Sequence, residues 1–333
     1  MDPNALESAA EEAGTAPLHE LNQRETPFVT RRYHVWPGNN SFFCSGRIMM
    51  GPGPASCLVT LAIILVPSGT FFLSTVACLA QHGCNAGAIA GVTAAIVLWI
   101  LYTFFRTAVC DPGVIPRRAG YADPNVKLPA SQGVVMNGRV VTLKYCVTCN
   151  IYRPPRCSHC KVCDNCVDRF DHHCPWVGNC IGRRNYFWFL QFTFSSALFA
   201  IYISLFALYA MLLEGGMWPP APAPPVSWSD ALVAGARALP ATVSVLLICL
   251  LSLLFTGTLS VFHACLASVN MTTAEKMKGL GAAGPWAYTR GCSQNWRALL
   301  CDPTPPSLVE PLEEVQIVPP SPSGRARSEP GGW

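Results

Sequence analysis

Three long intervals without any Asp, Glu, Lys or Arg constrain most strongly what this 333-residue chain can fold into. They cover residues 48–105, 185–213 and 238–274. Charged residues make up only 13% of the chain, whereas about 25% is typical of soluble domains. Because roughly 20 consecutive apolar residues are enough for one helix to cross a bilayer, the pattern predicts a polytopic α-helical membrane protein.

The lengths of these intervals predict four transmembrane helices. The first interval is too long for one crossing, and the polar stretch QHGCN at 81–85 divides it into two apolar runs. The other two intervals contain one run each. The predicted organisation is an N-terminal region 1–55, spans 56–80 and 86–107, a cysteine-rich domain 108–185, span 186–213, a loop 214–239, span 240–266 and a tail 267–333.

The distribution of basic residues orients these helices. Of the 23 Lys and Arg residues, four precede the first span, twelve lie between residues 106 and 184, and six follow the last span, which leaves only Arg237 on the opposite side. The positive-inside rule then predicts that both termini and the cysteine-rich domain are cytosolic and that the loop 214–239 is lumenal. The formal net charge of +4 indicates topology and contact with an anionic lipid bilayer, and no nucleic acid is expected as a partner. Residues 1–36 do not read as a signal peptide, so the first span is expected to direct insertion.

The predicted cytosolic domain contains a dense cluster of metal-ligand residues. Between residues 146 and 180 lie eight of the 17 cysteines and three of the seven histidines. Cytosolic cysteines stay reduced, and repeated Cys-x2-Cys pairs are typical of zinc sites. Since structural zinc takes four ligands, eleven candidates can close two sites and leave three residues over. The neighbours His159 and Cys160 would strain if both bound one ion, which favours two interleaved sites, but the spacing does not identify the three free residues.

The stretch 146–180, with RPPR at 153–156 and DHHC at 171–174, resembles the cysteine-rich domain of the DHHC family of protein S-acyltransferases. The likeness continues through TTAE at 272–275 and through single residues, namely Trp176, Asn179, Gly182, Asn185 and Phe189. The resemblance implies two structural zinc ions, one held by Cys146, Cys149, His159 and Cys166, the other by Cys160, Cys163, His173 and Cys180. Both sites would be closed, so the metal ions would hold shape and take no part in the chemistry.

The same resemblance leaves Cys157, His172 and Cys174 free of metal. It implies that Cys174 is the nucleophile, that His172 is the base that accepts the thiol proton, and that Asp171 orients the imidazole and stabilises the imidazolium. An imidazole beside a thiol raises the fraction of thiolate, which is the reactive form. Such a site suits exchange between two thioesters, which is nearly balanced in free energy and needs no ATP or redox cofactor. Cys157 is interpreted as a packed thiol.

The resemblance therefore implies a palmitoyltransferase that moves a long-chain acyl group from palmitoyl-CoA, through an acyl-Cys174 intermediate, to cysteine thiols of membrane-associated proteins. Two other functions also use a cross-braced zinc domain: a non-enzymatic membrane adaptor and a membrane ubiquitin ligase. A ligase needs no free cysteine beside a His–Asp pair, which favours the enzyme.

Residues 40–52 (NSFFCSGRIMMGP), ahead of the first span, resemble the corresponding segment of the DHHC subgroup linked to Ras-type substrates at the Golgi. This resemblance implies Ras-type GTPases as protein substrates and an accessory subunit as a partner. It also implies an endomembrane location, in the Golgi or the endoplasmic reticulum, with the plasma membrane as the alternative.

Four local patterns give further expectations. Pro67 is predicted to kink or loosen the first span. Asn137-Gly138, between two β-rich runs, predicts a two-residue hairpin turn. The proline-rich sequence 218–225 predicts polyproline II structure. His263, near the cytosolic end of the fourth span, is interpreted as a hydrogen-bonded interfacial histidine rather than a catalytic one.

Overall fold

The computed structural model describes residues 28–118, 128–136, 139–218, 226–280 and 287–317. The α-helices in these ranges are α1 (Ala55–Gln81), α2 (Ala86–Val109), α3 (Tyr186–Glu214), α4 (Trp228–Ala238), α5 (Pro240–Ser268), α6 (Thr273–Met277) and α7 (Cys292–Cys301). Of these, α1, α2, α3 and α5 are long and apolar enough to cross a membrane. The predicted fold class is confirmed, with four such helices and a cysteine-rich module between α2 and α3.

Short antiparallel sheets form the cysteine-rich module and its surroundings. The strands are β1 (Phe28–Arg31), β2 (Ser41–Phe43), β3 (Ile48–Met50), β4 (Val114–Ile115), β5 (Ser131–Met136), β6 (Arg139–Cys146), β7 (Ile151–Tyr152), β8 (Ser158–Cys160), β9 (Asn165–Val167), β10 (His172–Cys174), β11 (Asn179–Ile181) and β12 (Glu314–Ile317). They pair as β1-β12, β2-β3, β4-β9-β8, β5-β6-β7 and β10-β11. Met136 lies opposite Arg139 in the β5-β6 pair, so two residues connect these strands. Those two, Asn137 and Gly138, lie outside the described residues.

Helix α1 continues past Pro67 but changes its winding. A proline has no N–H to donate and crowds the preceding turn. The α-helical part Ala55–Thr70 contains Pro67, and a π-helical segment follows it at Phe71–Val76 before α-helix resumes at Ala77–Gln81. The loosening expected at this proline is therefore a π-helical turn that begins four residues after it; π-helix occurs mostly as such short segments inside α-helices.

Helix α4 lies in the loop 214–239 and was not predicted from the sequence. Its N-cap Ser227 accepts a hydrogen bond from the N–H of Asp230, a common helix-start signal. Small residues allow α4 to lie directly against the end of α3, because a Cβ added at Gly235 would fall 1.9 Å from the carbonyl oxygen of Met211. Most of the predicted polyproline stretch, residues 219–225, lies outside the described residues.

Buried polar side chains attach the cysteine-rich module to the ends of the membrane helices on the side predicted to be cytosolic. The last carbonyl groups of a helix lack partners within it. At the end of α2, Nδ2 of Asn179 donates to the carbonyl of Ala108 at 2.9 Å. Nδ2 of Asn185 donates to the carbonyl of Thr107 at 3.1 Å. On α1, the hydroxyl of Thr60 donates at 2.6 Å to a carbonyl of the turn between β10 and β11. The module is thus held close to the plane where the helices end.

Two Asn-x-Ser/Thr sequons, at Asn39 and Asn270, test the predicted sidedness. Both lie on the side predicted to be cytosolic, where oligosaccharide transfer does not occur. The amide of Asn270 also already donates to the carbonyl of Tyr288 at 2.7 Å. We expect the protein made in eukaryotic cells to show no change in gel mobility after endoglycosidase treatment.

A matched control is Pro225→Asn, which creates a sequon in the loop 214–239 and should acquire a glycan. The topology would be contradicted by a mobility shift in the natural sequence that disappears in Asn39→Gln or Asn270→Gln. That result would put the cysteine-rich module in the lumen.

Candidate active site and zinc centres

Two groups of four metal-ligand side chains lie in the cysteine-rich module. Within each group the ligand atoms all lie within 4.8 Å of one another. The first group is Cys146, Cys149, His159 and Cys166, and the second is Cys160, Cys163, His173 and Cys180. The structure thus brings the eight candidate ligands together in two sets of four, and each set could hold one metal ion.

The strand pairing explains why the two groups interleave. In the β8-β9 pair, His159 lies opposite Cys166, and both belong to the first group. Cys160 is the next residue on β8, and successive side chains of a strand point to opposite faces, so it joins the second group. In the β10-β11 pair, His173 lies opposite Cys180. Each short antiparallel pair therefore supplies one histidine and one cysteine to a group.

The distances within both groups suit zinc. Nδ1 of His159 lies 3.5–3.9 Å from the three sulfur atoms of its group, and Nδ1 of His173 lies 3.4 Å from Sγ of Cys163 and 3.7 Å from Sγ of Cys180. Tetrahedral zinc with Zn–S and Zn–N bonds of about 2.0–2.3 Å separates its ligands by roughly 3.4–3.8 Å. Oδ1 of Asp164 lies 3.3 Å from Nε2 of His159, the usual arrangement that orients a zinc-binding imidazole. Four Cys and His ligands in each group leave no open position, which is typical of structural zinc.

The three catalytic candidates lie together at β10. Nδ1 of His172 is 2.6 Å from Oδ2 of Asp171, whose side chain is buried. His172 and Cys174 are two residues apart on the strand, so their side chains share one face. Because Nδ1 faces the carboxylate, Nε2 is the imidazole nitrogen left for the thiol. In this arrangement Nε2 of His172 can accept a thiol proton, while the buried carboxylate of Asp171 orients the ring through Nδ1.

The surroundings of the pair favour an ionised Asp171 and a protonated His172. Burial alone would lower the pKa of His172, but hydrogen bonds to Asp171 and Cys174 and the charges of both groups raise the pKa to about 9. Burial would raise the pKa of Asp171, whereas the hydrogen bond and charge of His172 lower it, and the net shift of that pKa is downward. The imidazolium is the state that His172 takes after it accepts a thiol proton, so the site stabilises that state.

The segment TTAE at 272–275 holds Asp171 in place through two backbone hydrogen bonds. The N–H of Thr273 donates to Oδ1 of Asp171 at 2.8 Å, and the N–H of Ala274 donates to the Asp171 carbonyl at 3.1 Å. Glu275 completes the capping box of α6 and accepts two hydrogen bonds from the guanidinium of Arg156, each 2.7 Å long. The short helix after α5 is thereby joined to the RPPR sequence of the zinc module and to the carboxylate of the candidate site.

His263 also lies at this site, although it was interpreted from the sequence as a hydrogen-bonded interfacial histidine. It has the expected hydrogen bond, with its Nδ1 3.1 Å from the hydroxyl of Tyr186. The histidine is only 1% exposed, and one ring nitrogen lies within 4.8 Å of ligand atoms of both Asp171 and His172. The sequence did contain a signal that could have placed His263 at the site. It is a titratable residue inside a long interval without charged residues, and such residues in membrane spans are commonly functional.

Cys174 is packed among apolar residues from all four membrane helices. It is 6% exposed. The buried residues of this cluster are Cys57, Phe104, Ala108, Cys174, Val177, Ile181, Tyr186, Phe189, Leu190 and Ala267. The thiol therefore lies where α1, α2, α3 and α5 converge, at their ends on the side predicted to be cytosolic. Cys157 packs separately, with Cys146, Cys149 and Cys166.

Comparison with known proteins identifies close similarity to one family. A family model described as DHHC palmitoyltransferase matches residues 140–280. Protein S-acyltransferase 8 of Arabidopsis thaliana is 38% identical over 299 residues, which cover 83% of this chain and 70% of that protein. Palmitoyltransferase ZDHHC9 of Bos taurus is 36% identical, with 88% and 84% covered. Palmitoyltransferase ZDHHC14 of Homo sapiens is 34% identical, with 93% of this chain but only 65% of the human protein covered.

Proposed function

The chain belongs to the DHHC palmitoyltransferase family and is a multi-pass membrane protein S-acyltransferase, and from this premise we propose that Cys174 carries the acyl group between donor and substrate. The observation that supports this assignment best is the 2.6 Å contact between His172 and the buried carboxylate of Asp171, on the strand that also bears the thiol. Such an oriented base beside a thiol is the usual arrangement for an activated cysteine nucleophile.

The proposed reaction has two steps. In the first, Nε2 of His172 accepts the proton of the Cys174 thiol, and the thiolate attacks the carbonyl carbon of the acyl-CoA thioester. The bond to coenzyme A breaks, its sulfur takes the proton back from His172, and acyl-Cys174 remains. In the second step the thiol of a substrate cysteine gives its proton to His172 and attacks acyl-Cys174. The Cys174 thiolate leaves, takes that proton, and the enzyme returns to its starting state.

The eight ligand residues are proposed to hold two structural zinc ions. Zinc bound there would supply folding free energy, about 10–16 kcal/mol per site in small zinc modules. The zinc ions would not act on the substrate, which is the task of Cys174, His172 and Asp171. The second set of ligands supports the strand that carries Cys174, because it includes His173 and Cys180, which lie opposite each other in the β10-β11 pair.

The acyl chain is proposed to lie between the four membrane helices. Two features support this position: the packing of Cys174 among residues of all four helices, and the predominantly apolar character of those helices. Phe199 of α3 is buried in a separate apolar cluster with residues of α1, α2 and α5. A long chain starting at Cys174 would extend toward this cluster, and we propose that Phe199 limits its length.

The protein substrates are proposed to be membrane-associated proteins with cysteines close to the bilayer, specifically Ras-type GTPases, with an accessory subunit as partner and the Golgi as host membrane. The support for this finer assignment is the resemblance of residues 40–52. In the structure these residues form the β2-β3 hairpin, whose Met49 is buried against the zinc module together with Cys163 and Cys180.

A pulse-chase experiment tests the two-step route. Purified protein is incubated with labelled palmitoyl-CoA without acceptor, separated from the donor, and then given a peptide with an acceptor thiol. We expect the label to appear first on the enzyme and then to move to the peptide. In His172→Ala the first step should be slower by about 10²-fold or more, the usual contribution of a general base.

The control for this experiment is His34→Ala, which removes a histidine outside the candidate site and should label at the normal rate. The route would be contradicted if label reached the peptide without a labelled enzyme, or if His172→Ala, with the zinc content of the natural protein, labelled at the natural rate.

A further inference from the structure

A third group of metal-ligand side chains lies at the opposite ends of the membrane helices from Cys174. It consists of Cys78 and His82, at the end of α1, and Glu214, the last residue of α3. Nε2 of His82 lies 3.0 Å from Oε2 of Glu214, and Sγ of Cys78 lies 3.7 Å from the same oxygen. One ligand atom from each residue lies within 4.8 Å of the other two.

The helix geometry holds these three donors together. His82 follows Cys78 by four residues, and its N–H donates to the Cys78 carbonyl at 3.2 Å, so both side chains lie on the same face of α1. Cys78 is buried against Ala210 of α3, one turn before Glu214. The spacing between the helices is therefore set by packing, and the donors meet without any long flexible loop.

The electrostatic surroundings favour a cation. Both α1 and α3 end at this group, and the carboxyl end of a helix carries a partial negative charge. On the side of the membrane that the loop 214–239 occupies, Arg237 is the only Lys or Arg in the sequence, and the charge-free intervals 48–105 and 185–213 contribute none. A carboxylate, a thiol and an imidazole thus converge in a region with little competing positive charge.

We propose that Cys78, His82 and Glu214 bind a third metal ion, a divalent cation of the zinc class. Zinc with bonds of about 2.0–2.3 Å to nitrogen, oxygen and sulfur separates its ligands by roughly 3.3–3.6 Å, and the observed separations of 3.0 and 3.7 Å bracket this range. Binding releases the Cys78 proton to solvent. Three protein ligands leave one coordination position for water. The ion links α1 to α3 at the lumenal surface, far from Cys174.

This group could take two other states, which would give different metal content or mass. Without metal, the His82–Glu214 contact is a hydrogen bond and Cys78 is a free cysteine. Cys84 packs against Cys78, and in an oxidising lumen an oxidant of the disulfide class could join the two sulfurs, which would remove the metal site. The three states differ in metal content and in mass.

The experiment measures metal content of the full-length protein purified in detergent. The protein is incubated with excess Zn²⁺, desalted, and analysed by mass spectrometry for zinc per chain. We expect three zinc ions in the natural protein and two in His82→Ala and in Glu214→Gln. The control Glu310→Gln, which changes an exposed carboxylate of the cytosolic side, should keep three. Retention of two zinc ions by the variants also shows that the cysteine-rich module remains folded.

A second experiment, a titration with Co²⁺, identifies the ligands at equilibrium. One further equivalent of Co²⁺ should produce a thiolate-to-cobalt absorption band, which Cys78→Ser should remove. The proposal is overturned if the natural protein takes up only two zinc ions and no further Co²⁺, if all variants keep the third ion, or if the intact mass shows a Cys78–Cys84 disulfide in the protein as made.

Discussion

Cys174→Ser is expected to abolish acyl transfer from palmitoyl-CoA while the zinc content stays that of the natural protein. Serine keeps the shape of the side chain, but its hydroxyl is a far weaker nucleophile than a thiolate. Cys174 is not a member of either four-residue metal group, so its replacement should leave both zinc ions of the cysteine-rich module in place. The two measurements are steady-state transfer to an acceptor peptide and zinc per chain.

Cys57→Ala is the matched control for this substitution. Cys57 is a buried thiol of the same apolar cluster as Cys174, so its loss reports the cost of disturbing that cluster without removing the nucleophile. It should retain both transfer and zinc. Loss of one zinc ion in Cys174→Ser would make Cys174 a ligand and contradict its assignment as the nucleophile.

Cys163→Ala is expected to remove one zinc ion per chain and nearly all activity, through loss of the folded module. Cys163 lies 3.4 Å from both the Sγ of Cys180 and the Nδ1 of His173, so its removal opens a closed site. Zinc binding of about 10–16 kcal/mol per site is comparable with the whole stability of a typical domain, about 5–15 kcal/mol. Thermal unfolding and zinc content both report this loss.

Cys157→Ala is the control, because Cys157 is buried in the same module but belongs to neither group of four. It should keep the zinc content of the natural protein and lose only the packing of one sulfur atom. The ligand assignment would be wrong if Cys163→Ala were stable, kept the full zinc content of the natural protein and were merely slower.

The membrane architecture could be predicted because it depends on local composition. A run of about 20 residues without charge crosses a bilayer wherever the rest of the chain goes. Helix α4 was missed because its stability depends on a neighbour: Gly235 and the end of α3 approach so closely that no side chain fits between them. Nothing in the proline-rich sequence before it indicates that contact.

The site was predictable only in part, for a similar reason. The spacing of the cysteines and histidines indicates two zinc sites but does not divide the ligands between them, since that division depends on which strands pair. The family resemblance implied a role for Asp171, which stays a prediction, but not the hydrogen bond that its carboxylate accepts from Thr273, 102 residues further along the chain. His263 was interpreted as interfacial from its position near the end of the fourth span. Its hydrogen-bond partner Tyr186 belongs to another membrane helix, and the sequence alone does not show which helices are neighbours.

The most direct test of the account is to locate the acyl group on the enzyme. Protein labelled with palmitoyl-CoA is digested with trypsin, which releases residues 170–183 as one peptide with Cys174 and Cys180, and fragmentation distinguishes the two sulfurs. The account predicts a palmitoyl thioester on Cys174 that neutral hydroxylamine removes. A thioester on Cys180 or on a peptide that lacks Cys174, or transfer that proceeds with no acyl group on Cys174, would contradict it.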